Sequence, residues 1–265
     1  MNGLADMDWG GVDFSIILPP FAAGMLVLLT HVPLGAQVLR RGIVFIDLAI
    51  AQIAALGVIL AGIINHDAGA WFIQTAAGLA AAAGALLLTW TEKRWPEVQE
   101  AQIGVLFVLA ATASILLLSS NPHGGEHLRD LLAGQILWVR YSQLMWPITG
   151  SAIILFTLWK FGGRLTHLTF YLVFALAVTA SVQLVGVYLV FASLIIPSLG
   201  ARHYPPAKRL GVAYLIGAAG YAVGLLMSIL WDLPAGAAIV WCMAITACIF
   251  YACGNRPQPD TLSAN

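Results

Sequence analysis

The sequence predicts an all-α, polytopic membrane bundle of eight or nine transmembrane helices with one short re-entrant or interfacial helix. Three observations predict it. Of 265 residues, 60% are apolar and only 9% charged, against about 45–50% and about 25% in soluble domains. The apolar residues gather in runs near the length that crosses about 30 Å of hydrocarbon at about 1.5 Å per residue. Ten of the twelve Lys and Arg fall in connections on one side of those runs. Such a composition excludes a soluble enzyme, a nucleic-acid binder and a disordered chain. Twelve basic residues balance twelve acidic ones, so no global field recruits a polyanion.

Residues 1–13 hold Asp6, Asp8 and Asp13 and no basic residue. A secretory signal needs a positive leading segment, so the first run is expected to stay as a span and 1–13 to lie outside. The transmembrane domain, 14–253, then divides at its polar breaks. The first span, 14–39, ends at Arg40 and Arg41. The second, 43–64, carries Asp47 and Gln52. The third, 70–90, contains the small-residue run Ala76–Ala85 and ends at Lys93 and Arg94; the fourth is 101–118. Leu128 to Val139 is too short to cross and reads as the re-entrant or interfacial helix. The fifth span, 142–159, ends at Lys160 and Arg164, and the sixth, 168–184, holds Gln183. Runs 186–201, 210–230 and 235–252 complete nine; a re-entrant 186–201 would make the total eight. The polar segment 254–265, with two prolines, is expected to be a disordered cytoplasmic tail. By the positive-inside rule the ten basic residues are cytoplasmic, placing the N-terminus out and the C-terminus in.

Cys242, Cys248 and Cys253 match no zinc or redox spacing and read as small buried hydrophobes. Gly217, Gly220 and Gly224 line one helical stripe, which permits close backbone approach. That stripe is expected to serve packing within one subunit, with a seam between two copies as the alternative. Pro33 and Pro197 each remove a helical hydrogen bond.

Polar groups inside apolar spans are costly, so they are candidates for a transport path. These are Asp47, Gln52 and Gln183, with His31 toward the cytoplasmic end of the first span. Asp47 and Gln52 lie about 140° apart around a helix and do not share a ligand. Asp47 has a plainer role, as a carboxylate at a helix N-terminus paired with Arg41; the glutamines likewise suit interhelical hydrogen bonding. The outer loop 119–130 contains His123, Glu126 and His127, an H-x-x-E-H string used by zinc peptidases when it lies on a helix. Here Asn121-Pro122 and the pair Gly124-Gly125 oppose a helix. An intramembrane hydrolase is therefore set aside, no catalytic residue is assigned, and these three become candidate metal ligands at an entrance, helped by His66 and Asp67.

Several blocks in order resemble the permease subunits of bacterial ABC-type zinc, manganese and iron importers. They are Gly35 to Gly57, Glu100-Ala-Gln-Ile-Gly104, Leu132-Ala-Gly-Gln-Ile-Leu137, Val185 to Pro197, and Asp232 to Val240. The resemblance implies an all-helical homodimeric pore in the bacterial inner membrane. It also implies a divalent metal ion as substrate, a periplasmic metal-binding protein that delivers it, and cytosolic ATPase subunits below. No phosphate-binding G-x-x-x-x-G-K-[ST] loop occurs, so ATP belongs to a partner chain, and no permanently bound cofactor or nucleic acid is expected.

Two departures accompany the match. The family carries an Asp and a His four residues apart as metal ligands on the second span. Leu48 and Gln52 stand at those positions here, with Asp47 rotated about 100° away. The family also has a longer cytoplasmic segment before the sixth span, whose short helix docks in the ATPase. Only Lys160 to His167 remain here; eight residues reach out and back about 13 Å, with no room for such a helix. Either 91–99 or 202–209 takes over the docking, or the scaffold works as an ATPase-independent metal channel, carrier or regulatory component.

Overall fold

The computed structural model describes residues 14–65, 69–118, 134, 136–161 and 165–254, with the side chains of 14–16 left aside. Nine helices run through the described residues: α1 (Phe14–Arg41), α2 (Ile46–Ile64), α3 (Ala70–Arg94), α4 (Gln99–Leu118), α5 (Tyr141–Phe161), α6 (His167–Val185), α7 (Val187–Gly200), α8 (Pro206–Trp231) and α9 (Ala235–Cys253). Eight are long and apolar enough to cross a membrane, and α7, at 14 residues, is not. The chain is a multi-pass helical membrane protein. The nine expected segments all appear, and the expectation of eight or nine spans resolves into eight of crossing length plus one short helix. Of the stretch expected to form the re-entrant or interfacial helix, the described part is a 3-10 turn at Ile136–Trp138; the remainder lies outside the described residues.

Hydropathy locates the helices, but several run past it. α3 continues through Thr91 to Arg94, and α8 begins at Pro206, four residues ahead of its apolar run. Backbone hydrogen bonding persists through the headgroup zone, where polar side chains cost nothing. Tryptophans mark both ends: Trp71 and Trp146 meet edge-on with centroids 4.3 Å apart, and Trp90 and Trp95 meet likewise at 5.4 Å. Rings that are part apolar and part hydrogen-bonding favour that boundary.

A single residue separates α6 from α7. Gly186 adopts φ 81° and ψ 163°, a conformation open almost only to glycine. Its N–H closes α6 on Val182 O at 2.8 Å, and its carbonyl opens α7 by accepting from Val190 N–H at 3.1 Å. The chain then runs back. Ser193 Oγ and Tyr221 OH lie 2.8 Å apart, Ser198 Oγ donates to Val32 O at 3.3 Å, and Gly200 rests against Ala247. α7 therefore packs between α1, α8 and α9.

Pro33 strips Leu29 O of its helical donor, and Tyr214 OH from α8 supplies one at 3.1 Å. The glycine stripe of α8 is used inside the subunit: Gly217 faces Leu28 of α1, while Gly220 and Gly224 face Met243 and Ile239 of α9. The core is otherwise large and apolar, with Phe170, Phe174, Tyr171 and Tyr221 fully enclosed. Cys242 is buried, its Sγ donating to Met227 Sδ at 3.3 Å, whereas Cys248 and Cys253 are exposed.

One end of the bundle is laced by side chains. Arg41 Nη2 donates to Leu165 O at 3.3 Å and its guanidinium lies 4.2 Å from the Phe170 ring centre. His167 Nδ1 meets Glu92 Oε2 at 2.7 Å, Phe45 N–H donates to Glu100 Oε1 at 3.3 Å, and His203 Nδ1–H donates to Tyr251 O at 3.1 Å. These contacts gather the connections α1–α2, α3–α4, α5–α6 and α7–α8 and the close of α9 at one end. The described basic residues other than Arg140 lie there.

Candidate functional site

α2 is placed so that consecutive residues, about 100° apart around its axis, meet different surroundings. Its N-terminal turn starts at Ile46, and the backbone N–H groups of Asp47 and Leu48 act on the Asp47 carboxyl, as suits an anion at the positive end of a helix. Asp47 is 1% exposed and its Oδ1 has no hydrogen-bond partner. The anticipated pairing with Arg41 does not form, since that guanidinium is committed to Leu165 O and the Phe170 ring. One step around the helix, Leu48 and Gln52, one turn apart, face an open groove of about 980 Å³.

The groove is walled by α2, α4, α7 and α9. Phe107, Ala111 and Ile115 form one stripe of α4; Tyr188, Phe191 and Ile196 come from α7, and Val240 and Trp241 from α9. Its end away from the basic residues is framed by Trp138 and by Leu233–Ala237, which lead into α9. Leu48 lies in the first turn of α2 and Ile115 in the last turn of α4, so the groove extends along most of the bundle. Asp232 helps shape the mouth: it ends α8 in the left-handed region at φ 50°. Gly134 at φ 68° abuts the carbonyl of Val185, where a side chain would not fit.

The path candidates are therefore not brought together. Gln52 lines the groove, Asp47 is enclosed in the bundle, and Gln183 lies on an exposed face of α6 outside the groove lining. His31 is fully buried; its Nδ1–H donates to Val27 O at 3.0 Å, and Nε2 has no partner. His123, Glu126 and His127, with His66 and Asp67, lie outside the described residues. Among the described residues no group of three His, Cys, Asp or Glu could hold a metal ion.

The aromatic lining, Phe107, Tyr188, Phe191 and Trp241, was not singled out from polarity, because aromatic residues in apolar spans read as packing. For Tyr188 and Phe191 the available signal was the block Val185 to Pro197, whereas Phe107 and Trp241 fall outside every quoted block. Gly35 to Gly57 supplies Leu48 and Gln52, Val185 to Pro197 supplies the α7 wall, and Asp232 to Val240 supplies the mouth.

Comparison with known proteins agrees with this geometry. The high-affinity zinc uptake system membrane protein ZnuB of Haemophilus influenzae is 25% identical, matching 87% of this chain and 95% of its own length. The manganese transport system membrane protein MntC of Halalkalibacterium halodurans is 26% identical over 86% of this chain and 84% of its own. Among solved structures, PsaBC from Streptococcus pneumoniae in complex with Fab superposes with a TM-score of 0.74 at 20% identity, covering 90% of this chain and 92% of that one; this likeness concerns the fold. The pattern of the ABC 3 transport family matches residues 13–170 and 161–254, so it reaches from α1 to the close of α9. A helical bundle matched from α1 to the close of α9, with most of its groove lined by the blocks that carry the resemblance, belongs to the ABC 3 transport family.

Proposed function

We propose that this chain is the membrane-spanning subunit of an importer for a divalent first-row metal, zinc or manganese, in the bacterial inner membrane. The observation that carries the reading is the family match from α1 to α9, joined to named relatives that serve zinc and manganese systems. Two copies face each other across the groove. A periplasmic metal-binding protein delivers cargo at the mouth framed by Leu233–Ala237, and cytosolic ATPase subunits engage the basic end, so the N-terminus is outside and the C-terminus inside. ATP hydrolysis resides in the partner chains, and this chain contributes the path.

The test is co-expression with an ATPase partner, copurification, and reconstitution in proteoliposomes. ATP-driven uptake of ⁶⁵Zn²⁺ or ⁵⁴Mn²⁺, lost with a nucleotide-binding mutant of the ATPase, is expected. Flux through this chain alone, indifferent to ATP, would overturn it in favour of an ATPase-independent channel or carrier. One observation favours that second reading. α5 ends at Phe161 and α6 is already capped at Thr166, whose side chain accepts from Thr169 N–H at 3.3 Å. The residues between them are too few for a docking helix of two turns, which needs about seven.

A further inference from the structure

The groove's lining bears on the chemical form of what passes along it. Not one of its described lining residues is Asp, Glu, His, Cys, Lys or Arg. Its side-chain polar groups are the Gln52 carboxamide, the Tyr188 hydroxyl and the indole N–H groups of Trp138 and Trp241. Divalent first-row ions draw their affinity from imidazole, carboxylate or thiolate donors, and a dication stripped of water in an apolar channel is left without compensation. Leu48, one turn before Gln52 on the same face, makes the adjacent position apolar. Asp47, the nearest acidic group in sequence, is enclosed in the bundle and does not line the groove. A second copy presenting the same groove doubles this lining and, among the described residues, adds no anionic donor. What the lining does offer is aromatic surface, from Phe107, Tyr188, Phe191 and Trp241.

Resting on the importer reading above, we infer that the cargo of this groove is a divalent metal already held in a small, neutral organic chelate, not a bare ion. The chelate supplies the metal's donor atoms and turns carbon outward, which is the surface that aromatic walls recognise. Gln52 then binds a peripheral polar atom of the chelate and orients it. The volume of about 980 Å³ stands at the upper end of the range for small-molecule sites, about 300–1,000 Å³.

The experiment measures equilibrium binding of ⁶⁵Zn to the full chain, assembled with its ATPase in lipid nanodiscs. One arm uses free Zn²⁺ and the other bis(histidinato)zinc, which is neutral. Binding of the chelate at least ten-fold tighter than the free ion is expected. Gln52→Glu, which sets a carboxylate on the groove wall, is expected to shrink or reverse that ratio, and Gln52→Leu to weaken the chelate without strengthening the ion. Free Zn²⁺ bound as tightly as the chelate, or a chelate that is not retained, overturns the inference. ATP-driven uptake by the same complex in proteoliposomes separates the two levels. Uptake of the free ion with no preference for the chelate removes this inference and leaves the importer standing, whereas no ATP-driven uptake of either form removes both.

Discussion

The α8–α9 contact offers the sharpest test of how the bundle is held. At Gly220, a methyl group in place of hydrogen would sit 2.6 Å from Met243 Cβ and 2.7 Å from Met243 Cα. Ordinary contact begins at 3.4 Å, so the two helices must part by about 0.7 Å. Because one of the opposing atoms is backbone, no rotamer change relieves the clash. Overpacking of this kind costs about 1–3 kcal/mol. For a chain of this size about 1 kcal/mol moves the melting temperature by about 2–4 °C, so Gly220→Ala is expected to lower it by about 2–12 °C. The assay is thermal unfolding of the purified protein in lipid nanodiscs, followed by tryptophan fluorescence, with oligomeric state read by native mass spectrometry. Gly224→Ala, which meets the Ile239 backbone, should behave alike. An unchanged melting temperature accompanied by loss of a dimer would refute the reasoning, since it would put the stripe between copies instead of within one.

Other expectations follow from the same geometry. Gln52→Ala should alter the rate or selectivity of metal uptake in proteoliposomes while the folded protein persists; unchanged uptake for every ion tried would remove Gln52 from the path. Asp47→Asn, at a side chain enclosed away from the groove, should leave uptake intact, and lost uptake with normal folding would return Asp47 to the path. Gly186→Ala forces a β-carbon into a conformation that costs about 1–3 kcal/mol, visible as a lower melting temperature. Glu92→Gln weakens the pair with His167, whose side chain is 57% exposed against 15% for Glu92; with one partner open to solvent the pair is worth about 1 kcal/mol at most, so stability should move little.

Much of the architecture was legible because hydrocarbon admits few solutions: the runs at 43–64, 70–90 and 235–252 reappear as α2, α3 and α9 with small changes at their ends. The break between the sixth and seventh segments was legible too, since Val185-Gly186-Val187 places a glycine between two apolar runs. The intrasubunit role of Gly217, Gly220 and Gly224 followed the expectation that the stripe packs within one copy. The groove was harder to foresee. Which face of a helix turns inward depends on its neighbours, and α2 and α6 are apolar nearly all round, so Gln52 in the groove and Gln183 on the outer face look alike as residues in a string. Asp47 shows the limit from the other side: its closeness in sequence to Arg41 suggested a pair, but Phe170 and Leu165, more than 120 positions away, hold that arginine instead.

The brevity of α7 shifts a burden to its neighbours. Its 14 residues span about 21 Å at about 1.5 Å each, against about 30 Å of hydrocarbon. The remaining depth has to be sealed by the longer helices beside it, α1, α8 and α9, so trimming any one of those would bare amide groups at the ends of α7 that hydrocarbon cannot satisfy.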